Sequence, residues 1–518
     1  MYKKSLMIFL APLFACFSVH AYEGDITKLS LPQMRVALDN KQITSEQLIT
    51  AYLKNIEKND KKGKKINAVI YINPDALAQA RIFDANNNGK NLPLAGIPFL
   101  VKDNINTAGI ATTGGTLPLK NSTPQANAFV VQKLIDQGAI VLGKTNLSEL
   151  AASYGRLGYS SLGGQTLNPF NEKRDASGSS SGSAAAVAMS FAPFALGTDT
   201  SGSIRGPAST TATVGLRPSL GLTGRSGVIP LSLSADTVGV ITRDVTDQAI
   251  VLDVINAVDL NDAATLNLNH LRNIFYKAVT GPVSLVGKRI GIISNFDGGN
   301  SDVDKVRDHA AALIKNHGAI IEEIKLPEIF NDLWSPVLGP LGLAEFRPQM
   351  NAYLSALPSG SPQNMDEFMQ ELIKETKNGT YLINPGRFQG LMDNYTTNTT
   401  DSAEYISILT NTIPYLRKAF SQIMDENNFD DLLFATMRCP PSVRYDKQDL
   451  TYKCAASDPY TPSYIASALG LPEISIPGGR DQYNLPVGIS FLGRFGDDAE
   501  ILKLAKAFET VNKNISYK

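Results

Sequence analysis

The hydrophobic and polar positions of this chain predict strands that alternate with helices. Two capping boxes, Ser30–Gln33 and Thr44–Gln47, open helices that should form an N-terminal layer. Downstream, short apolar runs predict strands, and longer amphipathic stretches predict helices. The predicted strands lie at 68–72, in a run that ends at Lys102, at 139–142, at 288–293 and at 319–321, with helices at 129–137 and 303–316.

These repeated strand–helix–strand units predict an α/β fold. We expect a large mixed, mostly parallel central sheet that helices cover on both faces. Residues from about 330 to 430 lack strand alternation, so we expect a helical insert there that shapes a pocket. Nothing resembling a linker interrupts the chain, and we expect a single domain over 22–518.

The first 21 residues have the pattern of an export signal. Two lysines precede an apolar run at 6–17, and a small-residue pattern ends at Ala21, where we place signal-peptidase cleavage. The apolar run is too short to span a bilayer. A lipoprotein signal ending at Cys16 is the alternative, which the bulky Phe14 disfavours. We therefore expect an exported protein, periplasmic or secreted, without stable membrane insertion.

Composition and charge narrow the classes of function. A content of 43% hydrophobic and 19% charged residues is typical of a globular enzyme with a large core. Loss of the two leader lysines takes the formal net charge from -1 to -3, which does not favour binding to nucleic-acid phosphates. The basic cluster at 61–65 follows an amphipathic helix and carries no aromatic residues, as a solvated helix end does. We expect no nucleic-acid partner.

Two cysteines, Cys439 and Cys454, remain after cleavage. In an oxidising compartment they could close a short polar loop as a disulfide; the alternative is a pair of free thiols, one of them buried. The chain has no Cys-x-x-Cys or His-x-x-x-His spacing. We therefore predict no metal site and no cofactor.

Candidate chemistry concentrates between Lys102 and Arg205. Five of the seven residues at 177–183 are serines, and an alanine-rich helix starts immediately afterwards. That helix argues against a flexible linker, and the run does not end in the Gly-Lys-Ser/Thr of a phosphate loop. A second polar cluster, at 198–203, directly follows an apolar strand predicted at 191–197. A serine on such a turn is exposed to substrate, while neighbouring N–H groups converge as an oxyanion requires.

The first cluster also matches Gly-x-Ser-x-Gly, the nucleophile elbow, with Ser180 as nucleophile. That alternative needs an acid and a histidine downstream. The histidines of the chain are His20, in the leader, and His270, His309 and His317. The last two lie on an amphipathic helical pattern that suits exposed positions. Serine hydrolysis here would therefore need a base other than histidine. Lys102, which lies in an apolar stretch, is the candidate.

These two clusters resemble the amidase signature family. Its Gly/Ser-rich signature is similar to 176–186, and the second half of the signature is similar to 196–205. The similarity extends to 98–104, 141–146, 168–169, 214–218, 470–472 and 485–489, so it covers nearly the whole mature chain. Among members of the family, the nearest impression is of bacterial peptide amidases, which release ammonia from C-terminal carboxamides. The segments that carry this impression are 102–106, 164–169 and 178–182.

Carried over position by position, the resemblance implies a triad of a lysine, a bridging serine and a nucleophilic serine. These are Lys102, Ser179 and Ser203, with Ser180 as a supporting serine and oxyanion-hole amides at Thr200, Ser201, Gly202 and Ser203. Ser201 replaces a family glycine. Because a Cβ restricts the backbone, we expect its amide to be a less secure donor than that of Gly202.

The implied activity is that of an amidase, a hydrolase that cleaves linear amide C–N bonds. Physical chemistry supports it without the resemblance, because burial disfavours an ammonium and leaves a neutral Lys102 able to accept a proton. Lys102 would draw a proton from Ser179 as Ser179 deprotonates the attacking Ser203. The alternative for Lys102 is a lysine at the edge of the core that extends to water.

The substrate is expected to be a small-molecule or peptide amide, and peptide C-terminal, aryl, fatty and small aliphatic amides all stay open, as does the oligomeric state. A second class of function is the amidase-like subunit of a tRNA-dependent amidotransferase, which shares the triad. The leader and the mild negative charge argue against that class. The intact triad argues against a third class, a catalytically dead binding protein.

Overall fold

The computed structural model of the chain describes residues 22–86, 92–152, 155–378, 383–397 and 399–512. The predicted leader, 1–21, lies outside the described residues. In chain order the described strands are β1 (Val69–Ile72), β2 (Pro98–Lys102), β3 (Ile140–Thr145), β4 (Tyr159–Ser160), β5 (Gly164–Gln165), β6 (Phe194–Asp199), β7 (Val214–Arg217), β8 (Thr237–Thr242), β9 (Arg289–Ile293), β10 (Ile320–Ile324), β11 (Asp431–Ala435), β12 (Glu473–Arg480) and β13 (Pro486–Leu492).

The described α-helices alternate with these strands through much of the chain. They are α1 (Leu31–Asp39), α2 (Ser45–Ile56), α3 (Ala76–Asn86), α4 (Phe129–Asp136), α5 (Ser181–Ala188), α6 (Arg205–Thr211), α7 (Val245–Ile255), α8 (Ile274–Thr280), α9 (Ser301–Asn316), α10 (Gly339–Ser355), α11 (Met365–Lys377), α12 (Pro385–Thr396), α13 (Ala403–Ser407), α14 (Ile413–Glu426), α15 (Tyr464–Leu469) and α16 (Asp498–Val511). Both predicted capping boxes are present, with Ser30 capping α1 and Thr44 capping α2.

Eleven of the described strands form one mixed sheet in the order β1-β3-β2-β6-β8-β7-β12-β13-β11-β9-β10. The predicted mixed sheet covered by helices is confirmed, but the expectation that it is mostly parallel is wrong. Strand β2 runs parallel to β3 and β6, and β9 runs parallel to β10 and β11. The remaining neighbours in the sheet pair antiparallel.

The direction of the central strands explains this difference. Residues 481–485 join β12 to β13 as a hairpin, and a short connection of this kind can link only antiparallel strands. Strand β8 enters between β6 and β7 and runs antiparallel to both. Apolar periodicity predicts that a segment is a strand, but it carries no information about the direction of the neighbour.

The segment predicted as an insert is helical over its described residues. Helices α10 to α14 lie within it, and several of their buried apolar side chains form a cluster of their own, including Phe346, Met350 and Phe368. Leu150 and Ile229, from the body of the molecule, pack into the same cluster. The insert is therefore attached to the body of the molecule through packed side chains. Its role in selecting a substrate stays a prediction.

Three further features bear on the sequence predictions. The Sγ atoms of Cys439 and Cys454 are joined in a disulfide, with the Cα atoms 5.5 Å apart. Within the described ranges, no helix combines the length and the apolar character needed to cross a membrane. Among the same residues, no group of three or more His, Cys, Asp and Glu side chains is arranged to hold a metal ion.

Candidate active site

The parallel pairing of β2 with β6 places Lys102 at the candidate site. Both strands end at the same edge of the sheet, with Val101 opposite Leu196. The Lys102 side chain is fully buried, and its Nζ lies 2.8 Å from Ser179 Oγ. The same Nζ lies 2.8 Å from Thr198 Oγ1 and 3.3 Å from the Thr198 carbonyl oxygen. The amine therefore faces polar oxygens inside an otherwise closed interior.

The surroundings of Lys102 favour a neutral amine. Burial lowers the pKa of Lys102 to about 7, although the carboxylates of Asp199 and Asp236 act in the opposite direction. A neutral amine carries two N–H donors and one lone pair. The two oxygens of Thr198 can accept the N–H groups, which leaves the lone pair facing the Ser179 hydroxyl. The lysine is thus arranged to accept a proton from Ser179.

The Gly/Ser-rich loop is held by a distant tyrosine. The peptide between Gly178 and Ser179 is cis. The Tyr460 hydroxyl donates to Gly178 O and lies close to Ser177 Oγ, while Gly178 N–H donates to the same hydroxyl at 3.0 Å. On the other side, Ser148 N–H donates to Ser179 O at 3.0 Å. These contacts fix the loop that carries Ser179.

Ser180 is bound to the sheet rather than presented to a substrate. Its Oγ donates to Thr198 O at 3.1 Å and accepts from Thr198 N–H at 3.3 Å, and the side chain is fully buried. His309 and His317 lie on the exposed side of α9 and in its C-cap, as the sequence pattern predicts. The geometry therefore disfavours the Ser180 elbow. It is consistent with a supporting role for Ser180.

Ser203 lies in the second loop, which the first loop contacts directly. Ser180 N–H donates to Ser203 O at 3.0 Å, so the residue after Ser179 is bonded to the backbone of Ser203. Ser203 is 5% exposed. The structure therefore brings the three predicted triad residues into one region, at the N-terminal ends of α5 and α6.

The carboxylate of Asp199 organises the second loop. It accepts the Gly202 and Ile204 N–H groups at 2.9 Å each, and its Oδ1 lies 2.8 Å from Arg205 Nη2. Burial raises the pKa of Asp199, but Arg205 and Arg217 more than offset this and hold it well below the ordinary value. Asp199 is therefore ionised, and the turn around Ser203 is anchored to a fixed negative charge.

This anchoring changes the expectation for the oxyanion hole. The Gly202 N–H already donates to Asp199, which does not favour it as a donor to an oxyanion, and its role as the more secure donor stays a prediction. Gly202 has a φ of +109°, and a Cβ there would lie 2.5 Å from Ser463 Oγ, which explains the glycine. Ser201 does not have a positive φ, so its Cβ imposes no strain. Within the described chain, the N–H groups of Ser201 and Ser203 have no acceptor.

A hydrogen-bonded chain connects Thr200 to the helical insert. The Thr200 hydroxyl donates to Asp236 Oδ1 at 2.5 Å, and the Ser232 N–H donates to Asp236 Oδ2 at 2.9 Å. The Ser232 hydroxyl in turn donates to Glu345 Oε2, on α10, at 2.7 Å. Glu345 is 2% exposed and also accepts from the Tyr405 hydroxyl at 2.9 Å. The insert is thus connected, through Ser232 and Asp236, to the loop that is predicted to form the oxyanion hole.

Sequence reasoning did not identify several of these residues. Thr198 and Asp199 lie inside the second motif, where their polar side chains beside a buried strand were an available signal. Asp236 and Tyr460 lie far along the chain from Ser179 and Ser203, and no local spacing connects them to the motifs. Asp236 comes to the site because β8, which follows it, pairs with β6, and Tyr460 comes to it in a turn that contacts Gly178.

Comparison with known proteins agrees with this geometry. The sequence model of the Amidase family matches residues 47–502. The chain belongs to the Amidase family. A peptide amidase of Stenotrophomonas maltophilia is 31% identical in a structural match that covers 93% of this chain and 96% of that chain, with a TM-score of 0.82. A probable amidase of Arabidopsis thaliana is 33% identical over 93% of this chain and 90% of that protein.

The family also includes proteins with a different described role. One subunit of the glutamyl-tRNA(Gln) amidotransferase of Thermoanaerobacter pseudethanolicus is 31% identical over 94% of this chain and 97% of that protein. Membership of the family, together with the amidases among its relatives, shows that this amidase is an amide-hydrolysing enzyme. The bacterial peptide amidase resemblance is likewise confirmed at the level of the fold and sequence.

Proposed function

We propose that this amidase cleaves a carboxylic amide into an acid and ammonia or an amine through an acyl-enzyme on Ser203. The observation that carries the mechanism is the distance of 2.8 Å between Lys102 Nζ and Ser179 Oγ in a fully buried pocket. Such a lysine is a base that needs no histidine. A set of substitutions tests it: Lys102→Ala and Ser203→Ala should each remove nearly all turnover, and the double variant should be scarcely worse.

Each step of the proposed reaction conserves protons. Ser203 Oγ attacks the substrate carbonyl carbon, and its proton passes to Ser179 Oγ as the Ser179 proton passes to Lys102 Nζ. The C–N bond breaks when the same relay returns a proton to the leaving nitrogen. Water then attacks the carbonyl carbon of the Ser203 ester, and the relay carries its proton to Ser203 Oγ as the bond between that oxygen and the acyl carbon breaks and the acid leaves. Ser179→Ala should retain more activity than the other two variants, because a water molecule can bridge the gap.

The oxyanion is proposed to form against the backbone of residues 200–203. The Ser201 and Ser203 N–H groups lack acceptors in the described structure, which makes them suited to a developing negative charge. We include Thr200 because its side chain is fixed by Asp236. The Gly202 amide contributes indirectly, since its bond to Asp199 holds the turn in place.

We propose peptide C-terminal amides as the substrate class. The likeness to the Stenotrophomonas maltophilia peptide amidase supports this proposal, as do the motifs that resemble that subgroup. Aryl and fatty acylamides are the alternatives. Ammonia or amine release from a peptide amide, an anilide, a fatty amide and free glutamine distinguishes them, with Ser203→Ala as the control. Preference for the anilide or the fatty amide would contradict the proposal.

Glutamine is included in the panel because of the amidotransferase relatives. An enzyme that works within such a complex should release ammonia from glutamine only with its partner subunits present. We propose instead that this amidase acts without tRNA or partner subunits, because the predicted leader and the negative charge of the chain do not suit a tRNA-bound complex. A purified enzyme that hydrolyses no amide of the panel until amidotransferase partner subunits are added would contradict this.

We also propose that the enzyme is exported after cleavage of 1–21 and is periplasmic or secreted. The pattern of the leader supports this proposal, and a disulfide suits an oxidising compartment. N-terminal sequencing of the protein from its native host should begin at Tyr22. A protein that begins at a lipid-modified Cys16 would show lipoprotein processing instead of cleavage after Ala21. A protein that keeps Met1 would exclude export by this route.

The helical insert is proposed to select the acyl portion of the substrate. Glu345 connects it to the Thr200 loop through Ser232 and Asp236, so the insert borders the site. Exchange of segments within 330–430 should change the ratio of kcat/KM between substrates. An equal loss for all substrates would show that the insert is structural.

A further inference from the structure

A groove of about 790 Å³ lies on the side of the molecule away from the catalytic serines. We call it the basic groove, after its lining residues Lys28, Lys54, Lys58, Lys64 and Arg243. Its floor is formed by the C-terminal ends of α5 and α6, at Met189 and Ala212. The same two helices begin next to Ser180 and Ser203. Because α5 has eight residues, the groove is about 12 Å from the catalytic end of that helix.

The four lysines of the basic groove are exposed and carry charges that the protein does not neutralise. None of them forms a salt bridge in the described part of the chain. The neighbouring carboxylates are used elsewhere, because Asp60 pairs with Lys61 and Glu57 pairs with Lys62. Asp25 is the acidic residue that lines the groove. The wall therefore has a large excess of positive charge.

Arg243 adds a charge that lies deeper in the wall. It is 8% exposed, and its Nη2 donates to Leu29 O at 2.6 Å. Its Nη1 has no acceptor, and the guanidinium has no carboxylate within 4.0 Å among the described residues. Asp247 lies nearby, but burial raises its pKa well above the ordinary value, which favours an uncharged carboxyl. A buried charge without a counter-ion costs free energy that a bound anion can offset.

The remaining lining of the basic groove is apolar in part. Ala51, Ala188 and Met189 face it together with Pro169 and Phe170. Phe170 is 37% exposed. An inorganic anion would leave this apolar surface uncovered. A ligand with both an anionic and an apolar part would match the charge and the lining together.

We infer that the basic groove is a binding site for an organic phosphate, separate from the catalytic site. A phosphate monoester carries nearly two negative charges, which suits several cations better than a single carboxylate does. Lysine and arginine are both phosphate-binding side chains, and the volume suits a small organic molecule. The phosphate group belongs either to a soluble ester or to the headgroup of an anionic lipid.

Calorimetric titration with phenyl phosphate at low salt tests the soluble source. We expect saturable binding of one molecule per chain that weakens as the salt concentration rises. Lys54→Ala/Lys58→Ala and, separately, Arg243→Gln should each weaken binding at least tenfold. Lys315→Ala/Lys418→Ala is the matched control, since it removes two exposed charges elsewhere and should bind as the wild type does.

Sedimentation with phosphatidylcholine vesicles that contain phosphatidic acid, whose headgroup is a phosphate monoester, tests the lipid source. Co-sedimentation that the groove variants lose, without binding of phenyl phosphate, assigns the phosphate to a lipid headgroup and supports the site. Absence of binding in both assays, or equal binding by the groove and control variants, overturns the inference. Competition between phenyl phosphate and an amide substrate would also overturn it, because the groove and the catalytic end are separate. The calorimetric and sedimentation results do not depend on the proposed amide substrate.

Discussion

Replacing Lys102 with arginine is expected to abolish amide hydrolysis at every pH, although the positive charge and the hydrogen-bonding reach are retained. Burial lowers the pKa of Lys102 to about 7, so the neutral amine is well populated in neutral solution. Arginine stays protonated and cannot accept the Ser179 proton. The substitution therefore separates the role of a base from that of a fixed cation beside Ser179.

The size of the pH effect on kcat/KM of the wild-type enzyme follows from the pKa of Lys102. Raising the pH deprotonates Lys102, so the active fraction increases from about one tenth at pH 6 to about nine tenths at pH 8. We expect kcat/KM to increase about tenfold across this interval and then to level off, since kcat/KM reports ionisation of the free enzyme. Ammonia release from a peptide amide, measured between pH 5.5 and pH 9, gives the profile directly.

Ionisation of Asp175 is the alternative explanation for a rise in kcat/KM near pH 7. Burial raises its pKa to about 7, and its carboxylate accepts the Ser177 N–H at 2.8 Å. Asp175→Asn is therefore the matched control, and it should keep the rise near pH 7. The assignment of Lys102 as the base is refuted if Asp175→Asn removes the rise in kcat/KM, or if Lys102→Arg keeps a substantial part of the wild-type activity.

Three further predictions follow from individual contacts. Asp236→Asn removes a negative charge that favours protonated Lys102, so the rise in kcat/KM should move to lower pH; movement to higher pH would contradict the assigned electrostatics. Ser180→Ala should lower the free energy of unfolding, measured in urea, by about 1–3 kcal/mol, because the Thr198 N–H and C=O each lose a hydrogen-bond partner. It should reduce activity less than Ser203→Ala does. Reduction of the Cys439–Cys454 disulfide should lower the free energy of unfolding by at most about 3 kcal/mol. Mass spectrometry that finds both cysteines alkylated without prior reduction would show that the bond is absent.

Local patterns were sufficient to predict most elements around the site. The apolar run that ends at Lys102 is β2, and the apolar stretch at 191–197 covers the first four residues of β6, which continues to Asp199 in the second cluster. Both are short buried strands that apolar runs identify well. The motif resemblance supplied the positions of Ser179 and Ser203, and the structure places them near Lys102.

Long-range pairing accounts for what the sequence did not reveal. The insertion of β8 between β6 and β7 makes the centre of the sheet antiparallel, and no periodicity encodes that choice. The same pairing places Asp236, just before β8, beside Thr200. The bond from Gly202 to Asp199 depends on the path of a tight turn, which residue identities alone do not determine.

The most direct test of the account is the location of the acyl group during turnover. The enzyme is mixed with a p-nitrophenyl ester that acylates faster than it is hydrolysed, quenched with acid and digested with trypsin. The tryptic peptide 175–205 holds both Ser180 and Ser203, and fragment masses distinguish them. We predict an added acyl mass on Ser203 in the wild type and none in Ser203→Ala. An acyl group on Ser180, or an active enzyme without any adduct, would contradict the proposed Ser203 nucleophile.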